Sequence, residues 1–270
     1  MITKYFVKSI IFSRRVWIFG ILFGIFLLYI GYNQSISGIG LSRFYQENYT
    51  AEWTGLVILF LLGTISTTIA QVAIYSSSSL PYLFKFSRLS RRSYLYNITI
   101  SSLVVGICLS AVITIVATLM FSFKFGFIVY SNNYLSTYFT ILLGSLFMIF
   151  FALFLVLLVI NYLGARTVNY IQLLPMLLTY GIGILLLTAN ITDPYIYYVV
   201  PFNAYIVMFQ KAFDGKELQI VSANMHLVFS SLQYPYLLLS LLIWIASLII
   251  LDILLLGRIK ASSLEERSQI

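Results

Sequence analysis

The chain has 270 residues, of which 61% are hydrophobic and only 9% charged, and its mean hydropathy is +0.98. A soluble globular domain carries about 25% charged residues, because a water-facing surface needs them. This chain has too few to coat its own volume, so lipid must be its outer solvent. The same figures exclude a disordered or collagen-like chain. Despite a net charge of +8, nothing else in the sequence supports nucleic-acid binding. One cysteine, Cys108, permits no internal disulfide, and one histidine, His226, excludes a multi-histidine metal or haem site.

The first element is residues 2–15, ITKYFVKSIIFSRR. At 100° per residue Lys4, Lys8 and Arg15 fall within about 40° of one another, with Ile2, Phe6 and Ile10 opposite. The pattern predicts an amphipathic helix in the headgroup plane, its cations towards anionic lipid. A merely basic N-terminus that sets topology is the plain alternative. A cleaved signal peptide fits less well, because the apolar run is long and no A-x-A-like site follows Tyr32.

A helix needs about 20 mostly apolar residues to cross a hydrocarbon core about 30 Å thick. Six nearly charge-free spans meet that requirement, near 16–32, 54–79, 94–121, 137–162, 171–189 and 236–256. Backbone groups in lipid must be satisfied internally, so the spans should be helices. The predicted fold is an all-α, six-span integral membrane protein with a single domain over 1–270. Twelve basic residues fall on one side of these spans and four on the other, together with five acids. By the positive-inside bias both termini belong in the cytoplasm.

Residues 195–213, YIYYVVPFNAYIVMFQKAF, contest that count. A seventh span there would put the basic tail outside. The Tyr-rich composition, Pro201 and the polar run that follows predict a re-entrant or interfacial element on the outer side, with rings at headgroup level.

Within the spans, small residues trace contact faces. Gly20 and Gly24 form G-x-x-x-G, and Ser102, Gly106, Ser110, Thr114 and Thr118 recur every four residues. Such stripes are usually buried helix contacts. A hydrophilic pathway wall is most plausible on span two, where Ser66, Thr67 and Gln71 lie close together. Asp252 is the one carboxylate inside a span, and snorkelling towards Arg258 or Lys260, or pairing with another span's Arg, is its expected role. The loop 80–97, LPYLFKFSRLSRRSYLYN, concentrates cations. If helical after Pro81, it sets Lys85, Arg88 and Arg92 on one face with Arg91 beside them. That face suits lipid headgroups or an acidic groove on a soluble partner, since Arg offers planar bidentate donors.

Enzymatic readings fail on inventory. The chain has no G-x-x-x-x-G-K-[ST] and no H-E-x-x-H, and no acid pair shares a membrane face. Asn48-Tyr49-Thr50 and Asn190-Ile191-Thr192 read as N-x-[ST] triplets on the outer side.

Taken together, the chain resembles the ABC-2-type family, the membrane permease subunits of ATP-binding-cassette exporters. Leu89-Ser90-Arg91-Arg92-Ser93-Tyr94-Leu95 looks like the family's loop between spans two and three. Pro201-Phe202-Asn203-Ala204-Tyr205 is similar to its segment after span five. The proline common before the Ser-Arg pair is absent, and Ser76–Ser79 replace the usual glycine and acid. The resemblance implies that the 80–97 loop is a coupling helix docking on a separate cytoplasmic ATPase, through Lys85, Arg88, Ser90, Arg91 and Arg92. It implies ATP and Mg on that partner and no cofactor in this chain. It also implies a second permease copy or a similar permease, an outer element shaped by Pro201, Phe202 and Tyr205, and location in the cell membrane. An ion-coupled secondary carrier and a non-transporting assembly or immunity factor are the alternative classes.

Overall fold

The computed structural model describes residues 2–35, 43–76, 79–86, 90–162, 170–188, 194–215, 220–221, 227–229 and 232–259. It is built almost entirely from helices. The N-terminal α1 (Ile2–Ile11) leads to a π-helical stretch (Val16–Leu22) that continues as α2 (Phe23–Gln34). Then follow α3 (Arg43–Ser76), α4 (Leu80–Phe86), α5 (Arg91–Phe125) and α6 (Tyr134–Tyr162). After them come α7 (Leu174–Thr188), α8 (Pro194–Val199), α9 (Pro201–Asp214) and α10 (Tyr234–Leu256). A two-stranded antiparallel ribbon, β1 (Ile220–Val221) and β2 (Leu227–Phe229), precedes α10.

Five of these elements are long and apolar enough to cross a membrane: Val16–Gln34, α3, α5, α6 and α10. They match five of the six predicted spans, with α3 and α5 starting earlier than hydropathy suggested. The sixth prediction, 171–189, contains α7, whose 15 residues measure about 22 Å. That is short of a full crossing on its own, and the flanks 163–169 and 189–193 lie outside the described residues.

The central element is α3, buried along most of its length and packed against the first span, α5, α6, α7 and α9. Small residues allow the close approaches. A Cβ on Gly24 would meet Val57 at 3.1 Å, one on Gly31 would meet the Trp53 ring at 2.5 Å, and one on Gly106 would meet Ser145 at 3.2 Å. The G-x-x-x-G and every-fourth-residue stripes are therefore helix contacts.

Segment 195–213 is not one helix. It splits at Val200, whose extended backbone (ψ 111°) ends α8, and Pro201 opens α9 at a position that suits its missing N–H. The α8 helix follows α10. The Gln233 N–H donates to the Tyr198 hydroxyl (3.0 Å), and the Trp244 indole donates to the Val199 carbonyl (3.1 Å). The α9 helix then climbs back beside α6, ending where the Asn132 N–H donates to the Phe213 carbonyl (2.8 Å). The pair forms a V whose two arms differ: in α8 Tyr197 is buried while Tyr195, Ile196 and Val199 are exposed. All of α9 is buried except the half-buried Lys211, so its aromatic rings fill the bundle interior instead of floating at headgroup level as predicted. The physical reason is its partners: α3, α6 and α10 surround it.

Candidate functional site

The residues singled out by sequence gather in three places. The first is the end of the bundle where α1, α4, the start of α5 and the end of α10 meet. Lys4, Lys8, Arg14, Lys85, Arg91, Arg92 and Arg258 are exposed here. Asp252 is the one described carboxylate near them.

Ser90 decides the local geometry. Its backbone is extended (φ −83°, ψ 156°) and its Oγ accepts the Ser93 N–H at 3.1 Å. This is an N-cap, so Arg91 and Arg92 open α5. The predicted continuous helix carrying Lys85, Arg88 and Arg92 on one face is interrupted at Ser90, whose extended backbone starts a new helix. Arg88 lies outside the described residues. Lys85 is exposed, its ammonium 5.3 Å above the Phe86 ring. The two arginines stand at the positive end of the α5 dipole with no acid in that turn, a placement that costs about 0.3–1 kcal/mol each. Arg91 has a compensating neighbour. Its guanidinium crosses the C-terminal end of α10, where a Cβ on Gly257 would lie 2.9 Å from Nη1. Gly257 has ordinary right-handed backbone angles, so space for Arg91 is what its missing side chain provides.

One turn into α5, Tyr94 is buried and joins four elements. Its ring meets Phe6 of α1 edge-on (6.1 Å) and Phe84 of α4 likewise (6.2 Å), and its hydroxyl is 3.1 Å from Ser76 Oγ at the end of α3. The Thr3 hydroxyl donates to Asn97 Oδ1 (2.6 Å) and Ser101 donates to the Thr3 carbonyl (3.0 Å), fastening α1 lengthwise on α5. The amphipathic reading of α1 holds for Phe6 and Ile10, which are buried, and for Lys4 and Lys8, which are exposed. The helix ends at Ile11, however, and Arg15 reaches Gln172 Oε1 (3.5 Å) instead of sharing the lysine face.

The second place is the V of α8 and α9. Phe202 stands edge-on to Phe147 (5.2 Å) and Phe151 (5.7 Å), about 20–26 Å along α6 from its start. Tyr205 is fully buried against Gly144, where an added Cβ would lie 2.2 Å from its ring. The Tyr205 hydroxyl has no partner among the described residues. Pro201 sits at the apex. A Cβ on Gly55 of α3 would similarly meet Phe209 at 2.8 Å.

The third place is span two. Ser66 and Thr67 are buried, Thr67 donating to the Thr64 carbonyl (2.7 Å), while Ser66 Oγ is unpaired among the described residues. Gln71 is half-exposed and donates to the Tyr75 hydroxyl (3.2 Å). The neighbouring Gly63 is packed against α7 at Thr179.

Two groups differ from expectation. Asp252 is completely buried on the inward face of α10, with neither oxygen partnered among the described residues, Arg258 included, and Lys260 lies outside them. Asn48 and Glu52, taken for outer-loop residues, lie one turn apart inside α3 and are buried, which removes Asn48 as an accessible acceptor. The Tyr197 phenol of α8 lies within electrostatic reach of Glu52. Asn190, Lys216 and His226 lie outside the described residues. The described residues contain no group of three His, Cys, Asp or Glu that could hold a metal ion.

Sequence reasoning did not single out Tyr94, Gly257 or Gly144 as functional. Only the position of Tyr94, two residues after the Arg91-Arg92 pair, was a usable signal. No model of a known protein family matches the chain, and no characterised protein matches it.

Proposed function

We propose that the chain is the membrane permease subunit of an ATP-binding-cassette exporter of the ABC-2 type. A separate cytoplasmic ATPase would dock on the basic end and supply ATP and Mg. The observation that carries this reading is the pairing of two features at opposite ends of one bundle. At one end, cations on a short helix and on an adjoining helix start are tied through Tyr94 to α1, α3 and α5. Towards the other, α9 is buried among α3, α6 and α10, joined at Val200 to a largely exposed α8. The first is a surface on which an acidic partner can push. The second is an element whose tilt would open or close a path.

The basic end is then cytoplasmic by the positive-inside rule, α7 completes a sixth crossing, and the protein resides in the cell membrane. Lys85, Arg88, Ser90, Arg91 and Arg92 form the coupling surface. The cost of holding Arg91 and Arg92 at a helix N-terminus supports this role, because it is offset when an acidic partner arrives. Pro201, Phe202 and Tyr205 shape the exit, and a pathway completed by a second permease copy or a similar permease would pass Gln71 and reach the buried Ser66 and Thr67 when α3 moves. ATP hydrolysis takes place on the partner, with none in this chain.

The test is affinity purification from native membranes in mild detergent. An ATPase subunit co-purifies with the wild-type chain, and Arg91→Glu/Arg92→Glu removes it. Transport by the chain alone in nucleotide-free liposomes would overturn the reading. The unpartnered Asp252 favours a second reading, an ion-coupled carrier. In that case transport collapses with the ion gradient and with Asp252→Asn, whatever the nucleotide.

A further inference from the structure

At the end of the bundle away from the cations, a groove of about 510 Å³ opens at the last turns of α5, lined by Leu119, Ser122, Phe123, Gly126, Phe127 and Ile128. Its lining is apolar apart from Ser122. That hydroxyl is already committed in both directions, donating to the Thr118 carbonyl (2.5 Å) and accepting the Val129 N–H (2.8 Å). The groove therefore offers no free polar side chain, and what fills it is mainly an apolar chain. Phe123 and Ile128 are 83% and 76% exposed, so the apolar surface continues outward instead of closing into the core.

The rim has a different character. The Arg43 guanidinium lies 4.9 Å above the ring of Phe127, itself a wall of the groove, and Lys124, next in the chain to the lining residue Phe123, holds its ammonium 4.8 Å above Tyr32. Arg43 shares one contact with Glu47 (2.8 Å), yet a guanidinium has five N–H donors and keeps others free. Lys124 has no carboxylate partner among the described residues. The two cations stand at the start of α3 and the end of α5, where a spanning helix meets the headgroups.

An apolar trough with a cationic lip matches an amphiphile with an acyl chain and an anionic head. We propose that this groove is a binding site for one acidic phospholipid, its phosphate at Arg43 and Lys124 and an acyl chain along Leu119, Phe123 and Phe127. The site is independent of any ATPase partner and of which membrane face it occupies.

Native mass spectrometry of the full chain in mild detergent, with added phosphatidylglycerol or phosphatidylcholine, tests this. One phosphatidylglycerol is retained at saturation, in preference to phosphatidylcholine. Lys124→Gln and Arg43→Gln each reduce that preference about fivefold, the effect of one cation near an anionic headgroup. Leu119→Trp fills the trough from an exposed position and displaces the lipid, and Phe123→Gln provides a second disruption should the first variant not fold. Equal retention of the two lipids, a preference unmoved by both rim substitutions, or a bound lipid that survives both groove substitutions overturns the proposal. Displacement of bound phosphatidylglycerol by an apolar peptide lacking acidic groups would do so too, since the lip would then be irrelevant.

Discussion

The contact between Gly144 and Tyr205 gives the sharpest way to probe how α9 is held. Adding one methyl, Gly144→Ala, places a Cβ 2.2 Å from the Tyr205 ring, where ordinary contact begins at 3.4 Å. Something must move by about 1.2 Å. The ring cannot yield alone, because Tyr205 is fully buried and Phe209 packs beside it (6.2 Å). The shift falls on α9 as a body. Overpacking of this kind costs about 1–3 kcal/mol, against a gain of about 0.8–1 kcal/mol from replacing a helical glycine by alanine. The net expectation is a loss of up to about 2 kcal/mol. Gly181 of α7 is the internal control, since its added Cβ meets nothing within 4 Å. There the same substitution shows only the helix gain and stabilises. The assay is reversible SDS unfolding in mixed micelles followed by far-UV circular dichroism, with Tyr205→Ala and the double variant closing a cycle. A coupling of about 1–3 kcal/mol between positions 144 and 205 is expected of residues in contact. Additivity within about 0.5 kcal/mol, or the same sign at Gly144 and Gly181, refutes the reasoning.

Three further outcomes follow from the basic end and from α10. Tyr94→Phe removes the Ser76 hydrogen bond and lowers stability by about 1 kcal/mol, whereas Tyr94→Ala also releases Phe6 and Phe84. Spin labels at the exposed Tyr5 and Tyr82 then give a broadened distance distribution in pulsed EPR, while Tyr94→Phe leaves it narrow. Gly257→Ala pushes the Arg91 guanidinium off the end of α10 and lowers the thermal midpoint, whereas in an Arg91→Ala background the same substitution does not. Asp252→Leu removes an unpartnered buried carboxyl and raises the thermal midpoint, by a margin equivalent to about 1–3 kcal/mol. A fall in that midpoint means that the carboxyl has a partner beyond the described residues, in this chain or in a second one.

Much of the architecture was legible because lipid imposes one rule on every span. Apolar length alone located five long helices to within a few residues at most ends. It failed at the start of α3, placed at 54 and found at Arg43, since Asn48 and Glu52 read as loop residues to any hydropathy scale. What hydropathy cannot register is burial among neighbouring helices, which shelters those side chains from lipid and water alike. The same blindness affected α9. Tyr, Phe and Pro in one stretch suggested an interfacial belt, but the rings of Phe202, Tyr205 and Phe209 pack inward against Phe147, Gly144 and Gly55. Gly144 and Gly55 are unremarkable in sequence, because their importance is set by aromatic rings some 60 and 150 positions away. At the basic end, cation spacing was visible but helix phase was not. A single serine cap at Ser90 moved Arg91 and Arg92 from the loop helix to the span.

That relocation changes what the arginines can do. On a loop helix they would move with α4 and leave the spans untouched. At the first turn of α5 they are rigidly continuous with a 35-residue helix, and through Tyr94 and Arg91 they are linked to α1, α3, α4 and α10. A force applied to the Arg91–Arg92 turn is thus delivered to α3, and α3 carries Gly55, the seat of Phe209 in α9. The two ends of the bundle are joined by one continuous, closely packed helix. An acidic partner binding Arg92 should therefore alter the environment of α9, and fluorescence from Trp53, two residues before Gly55, is the natural reporter of whether it does.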